Sequence, residues 1–521
     1  MEGVTSTRIK PGSDWMARLR AVPNSTWAAA ALTLLAALAL GVYLAFPTYP
    51  TYDSFYALLW GSDLLHGHLP DLAVYRAPTE HPLAILFGTF CSLFGQGGAR
   101  LMVAGSIASF VALVAGMYRV GRLCFGPIVG WIAAALMLTR FYDENLTVQG
   151  YLDISYLALI VWAMALEVAR PRRGPAVFLL LAAAGLLRPD AWVLSGAYWL
   201  WCMWPLRPWA RPAQASQGAV RGGEARRALV YLALALLAPV VWLAFDAVLT
   251  GNPLHSLKAT TELAGELERS HGLSGALGSV WPFVVRIDKE PVVLGALLGA
   301  ALALYLTPRR AVIPLAVLVI QLAVFVAEGA VGAAVINRYL LGATAVGLVF
   351  AAFALGGWST LESSRLRLGW MLAAVLLVAY GTLNVLRTFH VSELSTTMAY
   401  HEDFHQGLAR ALGDGKVRRA LASCQLLSLP DNKLIPDARW ILGQGSHTRV
   451  IARSQASAAA AAGRPALERR LQEGSVAVYP LGAAVFFEAI VDPGDDPRDQ
   501  VPLPGSSRIY ASRYYAVYAN C

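Results

Sequence analysis

The sequence predicts an α-helical polytopic membrane protein of about eleven transmembrane helices, with a cytoplasmic N-terminus, a structured first outer loop and a C-terminal extracytoplasmic α/β domain. Three observations carry this expectation. The 521 residues are 57% hydrophobic and only 14% charged, with a mean hydropathy of +0.52, too apolar for a soluble multidomain chain. Apolar runs long enough to span a bilayer recur as far as residue 388 and then stop. The lysines and arginines behind the net charge of +9 fall in short clusters between those runs, which suits orientation in a bilayer rather than a nucleic-acid-binding face.

Residues 1–26 read as a cytoplasmic tail, in which Arg8, Lys10, Arg18 and Arg20 precede an apolar stretch of span length. That stretch is too long and too far from Met1 for a cleaved signal peptide, so it is expected to stay as the first helix. The membrane domain, 27–388, contains spans near 27–46, 99–118, 127–141, 151–169, 175–188 and 190–205. Further spans follow near 228–249, 291–306, 311–328, 338–356 and 369–387.

Basic residues test this topology independently, because short cytoplasmic loops are rich in Lys and Arg. With the N-terminus inside, the cytoplasmic turns carry Arg119 and Arg122, then Arg170, Arg172 and Arg173, then Arg207, Arg211, Arg221, Arg226 and Arg227. Arg309 and Arg310, then Arg365 and Arg367, complete the series. The apolar stretch from His81 to Gly95 is too short for a span, and counting it as one would invert every later loop. It is therefore expected as a re-entrant or interfacial helix inside the first outer loop, 47–99, together with a helix at Ser54–His66. The second outer loop, 250–290, reads as polar, with Glu262, Glu266, Glu268, His271, Asp288 and Glu290.

Residues 389–521 form the expected soluble domain. Helical pattern at Ala399–Leu412 and Ala466–Leu471 alternates with strand-like runs at Leu421–Leu427, Ser475–Tyr479 and Ser512–Ala519. Five cysteines show no metal or redox spacing. Cys91, Cys124 and Cys202 lie in or beside apolar segments and read as packing residues, whereas Cys424 and Cys521 fall in the soluble domain, where an oxidising compartment permits a disulfide.

Charge beside apolar segments is expensive and tends to be retained for function, so acids, histidines and arginines at the outer ends of the helices are the informative residues. Four clusters stand out. Asp53, flanked by Tyr52 and Tyr56, is either the N-cap of the following helix or a general base at the membrane surface. Glu80 and His81 are either an ordinary polar helix start or a carboxylate and imidazole that position a substrate. Asp143 and Glu144 are either a solvated turn or a second catalytic pair; they could also hold a divalent cation with oxygen ligands, although no metal signature is present. Arg188 and Arg338, the latter followed by Tyr339, run against the positive-inside trend. They are either paired, Arg188 with Asp190 for example, or offer guanidinium forks to a phosphate.

Several of these features occur in a characteristic order. An aromatic-flanked Asp53 follows the first span, His81-Pro82-Leu83 opens a surface helix, and Arg119-Val120-Gly121-Arg122-Leu123-Cys124-Phe125-Gly126 forms a cytoplasmic turn. Over Trp27–Trp204 this order resembles the GT-C superfamily of polytopic membrane glycosyltransferases, of the protein O-mannosyltransferase and lipid A aminoarabinose transferase type. The chain departs from that pattern in having Asp53-Ser54 where O-mannosyltransferases have an Asp-Glu pair, and a single proline at Pro82.

The resemblance implies an inverting transferase at the outer face of the cytoplasmic membrane, with Asp53 assisting the acceptor. Its implied partners are a polyprenyl-phosphate-linked sugar donor, a glycan, lipid or protein acceptor and the bilayer, with no nucleic acid. No cofactor is called for with certainty, a divalent cation staying open. The rival reading is a polytopic lipid or solute transporter or flippase, against which stand the absence of inverted halves and the grouping of charge at one surface.

Overall fold

A computed structural model of the protein describes residues 24–46, 48–72, 74–204, 217–388, 391–424, 426–443, 449–488 and 497–521. Most of the expected cytoplasmic tail, with Arg207 and Arg211 of the basic turns, lies outside the described residues. The chain divides into two compact units at Phe46/Pro47. The first contains helix α1, Asn24–Ala45, apolar throughout and long enough to cross a bilayer.

The second unit opens with two helices of the first loop, α2 (Tyr52–Leu65) and α3 (Pro82–Ser92). These lie backbone to backbone. A Cβ on Gly61 would stand 2.3 Å from the Thr89 nitrogen, and one on Gly88 would stand 2.1 Å from the Ala57 oxygen, so only glycine permits this approach. At 11 residues α3 is too short to span, as expected of the helix from His81.

There follow α4 (Gly98–Phe125), α5 (Pro127–Leu138), α6 (Phe141–Val148), α7 (Leu152–Ala169), α8 (Pro175–Gly185) and α9 (Asp190–Met203). Next come α10 (Gln217–Thr250), α11 (His255–Glu266), α12 (Gly272–Asp288), α13 (Glu290–Leu306), α14 (Pro308–Ala330), α15 (Leu341–Gly356) and α16 (Ser364–Thr388). Of the apolar 18-residue stretch within Asn337–Thr360, built on α15, 94% is buried, while of that within Arg365–Arg387 in α16 only 6% is buried, and Leu372, Leu376 and Leu386 are exposed. An apolar helix with that exposure is stable where its surroundings are hydrocarbon. The protein is therefore a multi-pass membrane protein with α15 at its centre.

All eleven predicted spans fall on helices, but not all are full-length spans. Among the described residues seven helices are long and apolar enough to cross alone, and a bent pair, α12 and α13, meets the same test as one broken span with a 108° bend. The segments predicted near 127–141 and 175–188 form helices of only 12 and 11 residues. The second loop is also less polar than expected. Its acids and His271 lie at the helix ends, and between them α12 carries a run of apolar residues from Val280 to Val285 around Trp281 and Phe283.

The C-terminal region is a small α/β unit, as predicted. It comprises α17 (Val391–Gly413), α18 (Gly415–Cys424), β1 (Leu426–Leu429), α19 (Ile435–Leu442), β2 (Arg449–Ala452), α20 (Arg453–Ala461), α21 (Ala466–Glu473), β3 (Val476–Pro480), α22 (Ala483–Glu488), β4 (Ser507–Ala511) and β5 (Tyr515–Ala519). The sheet order is β2-β1-β3-β5-β4, with β2, β1 and β3 parallel and β5 antiparallel to both neighbours. Phe404, Leu408, Leu421, Leu427, Val478 and Val517 belong to its core.

Two strand expectations are corrected here. Leu421 closes a helix with Val417 on the same buried face, one turn away, so the strand starts only at Leu426. The run Ser512–Ala519 divides because the Ser512 hydroxyl accepts the Tyr514 and Tyr515 N–H groups and turns the chain between β4 and β5. Cys424 and Cys521 form a disulfide, their Cα atoms 5.7 Å apart, while Cys91, Cys124 and Cys202 are buried free thiols.

Candidate active site

The site begins at the N-terminus of α2. Thr51 is the residue that caps this helix, its hydroxyl accepting the Ser54 N–H, and Asp53 occupies the first turn without capping it. Two further bonds fix the helix start against the turn before α7: the Thr51 N–H donates to the Gln149 carbonyl at 2.9 Å, and the Ser54 hydroxyl donates to the Gly150 carbonyl at 2.7 Å. The Asp53 carboxylate is thereby left for another partner.

That partner is Arg338, in the single 3-10 turn Asn337–Leu340 that leads into α15. Arg338 Nη1 stands 3.2 Å from Asp53 Oδ2 and 3.5 Å from Asp153 Oδ2, with its guanidinium over the Tyr151 ring. Asp153, in the first turn of α7, in turn receives Arg188, which also donates to Asp190 at 2.8 Å. Arg188 lies between the rings of Tyr156 and Tyr339. The result is a ladder Asp53–Arg338–Asp153–Arg188–Asp190 of alternating charge. Its two ends differ: the Asp53 and Arg338 side chains are 24% and 27% exposed, whereas those of Asp153, Arg188 and Asp190 are at most 7% exposed. Only the Asp53 end can exchange its partner for a ligand at little cost, because the inner charges are desolvated and depend on each other.

Asp53 lines a cavity of about 460 Å³. Its polar end holds Asp53, Ser54, Thr79, His81 and Tyr151. From there it runs between one face of α4, with Gly105, Ser109 and Ala112, and one face of α7, with Ser155, Ala158 and Trp162. Ser109 and Ser155 are hydrogen-bonded to each other at 2.8 Å and the Trp162 indole donates to the Ala112 carbonyl at 2.8 Å, so the cavity is a groove along the packed pair α4 and α7, and Tyr151 to Trp162 corresponds to about 16 Å of helix.

His81 lines this cavity, partly buried, and meets the Trp242 ring edge-on at 5.7 Å. Burial pushes its pKa down to about 4, so the imidazole is neutral at neutral pH. Its Nδ1 has no hydrogen-bond partner among the described residues.

The other candidates are placed elsewhere. Glu80 turns away from the cavity to His255 on α11, 3.3 Å away, and burial raises its pKa. Asp143 is fully buried and pairs with Arg140, which also holds Asp288 at 2.9 Å and donates to the Thr344 hydroxyl. Burial raises the Asp143 carboxyl to about 6 and also raises that of the half-buried Glu144. Tyr142, beside them, donates to Asn337 and so ties α6 to the turn of Arg338. Tyr56 is buried behind Tyr52, and burial pushes its hydroxyl up to about 12. Tyr52 itself donates to the Arg76 carbonyl and accepts from Asn432 of the C-terminal domain. Among the described residues no group of three or more His, Cys, Asp and Glu side chains is arranged to hold a metal.

Asp153, at the end of the acidic stretch that begins at Asp143, is the element of this site to which sequence reading assigns no role. An acid in the first turn of an apolar span is a usable signal, but its pairing with arginines far along the chain is not.

No family profile and no curated protein matches the sequence. Solved structures do match. An archaeal oligosaccharyltransferase, AglB from Archaeoglobus fulgidus in complex with an inhibitory peptide and a dolichol-phosphate, aligns over 95% of this chain and 74% of its own, at 13% identity and a TM-score of 0.52. The same organism's oligosaccharyltransferase tethered to an acceptor peptide aligns over the same shares at 13% identity and a TM-score of 0.50. ArnT from Cupriavidus metallidurans in the apo state aligns over 95% of this chain and 98% of its own, at 15% identity and a TM-score of 0.49. At such identities the likeness is one of fold: this chain shares the fold of the archaeal oligosaccharyltransferase.

Proposed function

We propose that the protein is an inverting glycosyltransferase that moves a sugar from a polyprenyl-phosphate donor to an acceptor at the outer face of the cytoplasmic membrane. The observation that carries this reading is the cavity: a loosely held Asp53–Arg338 pair stands at the polar end of a long apolar channel. A polyprenyl tail suits the channel between α4 and α7, and the phosphate and sugar then lie beside Asp53, His81 and Arg338. The archaeal oligosaccharyltransferase at TM-score 0.52 supports a donor of this class, since it is in complex with a dolichol-phosphate.

In this mechanism the donor phosphate takes the Arg338 fork from Asp53, which frees the carboxylate. An acceptor hydroxyl attacks the anomeric carbon as the bond from that carbon to the phosphate oxygen breaks, and the electron pair leaves with the phosphate. Asp53 takes the hydroxyl proton, and attack from the face opposite the phosphate inverts the configuration. Arg338 stabilises the charge that develops on the departing phosphate. Neutral His81 offers a hydrogen bond to the sugar or phosphate. Asp153, Arg188, Asp190 and Tyr339 hold Arg338 in place, and Asp143 and Glu144 support the α6 turn beside it.

The test is Asp53→Asn in the purified full-length protein with a polyprenyl-phosphate sugar. Transfer should fall by at least about a hundredfold while donor binding persists; turnover near the wild-type rate would remove Asp53 from the role of base.

A further inference from the structure

A second cavity, of about 410 Å³, lies between α7, α8, α9 and α14, away from Asp53. Its walls are apolar and include Ala163, Leu181, Ala197 and Ala316. It opens laterally at Leu200 and Trp204, both well exposed. In a membrane-embedded bundle such an opening faces lipid. At one end it is bounded by Glu167, Tyr198 and Trp201.

Glu167 has an unusual set of bonds. It accepts from the Tyr198 hydroxyl at 2.8 Å, from Trp201 Nε1 at 2.7 Å and from the backbone N–H of Arg172 at 2.7 Å. The last bond pins a tight turn in which Arg172 takes φ 60°, a left-handed conformation that disfavours a side chain. Glu167 therefore holds the backbone of Arg172 and none of its guanidinium. The guanidinium is laid over the Trp201 ring, 5.0 Å from its centroid. Its Nε and Nη2 are shielded from water yet have no hydrogen-bond partner among the described residues. Arg170 and Arg173 stand exposed on either side.

We propose that this groove binds one acyl chain of an anionic glycerophospholipid, with the lipid phosphate on Arg172. The apolar walls and lateral opening suit an acyl chain, and the unmet donors of a planar fork suit phosphate oxygens. The flanking Arg170 and Arg173 favour a headgroup with net negative charge over a zwitterionic one. Arg172, held by its backbone and stacked on Trp201 of the groove wall, thus supplies the headgroup ligand of a site separate from the channel at Asp53.

Native mass spectrometry of the full-length protein in detergent tests this with phosphatidylglycerol and phosphatidylcholine of identical chains. The wild type should retain one phosphatidylglycerol about tenfold more tightly than phosphatidylcholine, and Arg172→Ala should erase that preference. Ala316→Phe, which fills the groove, should weaken both lipids. Equal retention of the two lipids by the wild type overturns the proposal whatever the variants do. So does a preference that survives in folded Arg172→Ala, or displacement of phosphatidylglycerol by an equal concentration of polyprenyl phosphate. None of these readings involves sugar transfer, so the outcome is independent of the assignment of Asp53.

Discussion

The two arginines of the charge ladder differ in what surrounds them, and that difference predicts different losses. Arg338 is part-exposed and reaches Asp53 at 3.2 Å, so Arg338→Ala should leave a folded protein with donor affinity reduced at least about tenfold, measured by binding of a polyprenyl-phosphate sugar. Arg188 is enclosed by Asp153 and Asp190, and removing it strands the buried Asp190 carboxylate and leaves Asp153 with Arg338 alone, at a cost of about 3–5 kcal/mol. Arg188→Ala should therefore show chiefly in thermal stability. A variant as stable as wild type that had lost donor binding would reverse the two roles.

Titration at single residues gives a second prediction. Burial lowers His81 to about 4, so between pH 6.5 and 4 the unfolded chain binds the extra proton, and stability falls as the pH falls through this window. Burial raises Asp143 to about 6, so between pH 6 and 3.8 the folded chain binds the extra proton, and stability rises as the pH falls. Each effect amounts to about 3 kcal/mol, and the two oppose each other. Acidification from pH 6.5 to 5 should thus lower the Tm of Asp143→Asn more steeply than that of wild type, while His81→Asn should gain stability relative to wild type. Parallel profiles for the three proteins would refute this balance.

Part of the residue-scale picture is legible without coordinates. Asp190 lies two positions from Arg188, and the pair is readable from that spacing. The choice between cap and base at Asp53 was open because Thr51 and Asp53 are both good cap residues, and only the hydroxyl of Thr51 is found in the capping position. Asp153 meets Arg338 about half the membrane domain further along the chain, and no local pattern encodes such a contact.

At the scale of elements, the placement of Asp53 depends on the backbone contact of α2 with α3. Gly88→Ala would set a methyl carbon 2.1 Å from the Ala57 carbonyl and push the helices apart. A shift of about 1 Å at a catalytic group is enough to cost on the order of a hundredfold in rate, and overpacking of this kind costs about 1–3 kcal/mol. Gly196→Ala in α9 is the control, since nothing lies within 4 Å of its added carbon; it should be neutral or slightly stabilising. Transfer rates and Tm values for the two variants check the pair, and equal rates would remove the contact from the argument.

Element type was readable where composition is uniform, as in the eleven apolar runs, each of which is helical. The polar reading of 250–290 misses the apolar centre of α12, which polar ends frame between His271 and Asp288. Element type was misread where a few apolar residues suit either period, as at Leu421–Leu427.

For the whole molecule, the C-terminal domain is joined to the site by specific bonds: Asn432 to Tyr52, one residue from Asp53, and Gln96 to the Trp440 carbonyl. His405 also stacks on Phe55 of α2. The domain is itself closed by the disulfide, which spans 97 residues of sequence and should stabilise it by roughly 4–5 kcal/mol on the chain-entropy account. Cys424→Ser with Cys521→Ser should lower the temperature at which protease cuts this domain and leave α4 and α7 protected; an unchanged cleavage profile would show that the packing around Phe404 and Tyr515 suffices.

The same covalent link also makes the orientation of the chain observable without any fused reporter. A cystine between Cys424 and Cys521 forms and persists only where the compartment is oxidising, whereas Cys91, Cys124 and Cys202 remain thiols wherever they lie. The number of thiols that take up an alkylating reagent after denaturation, with and without prior reduction, then records on which side of the membrane the chain ends.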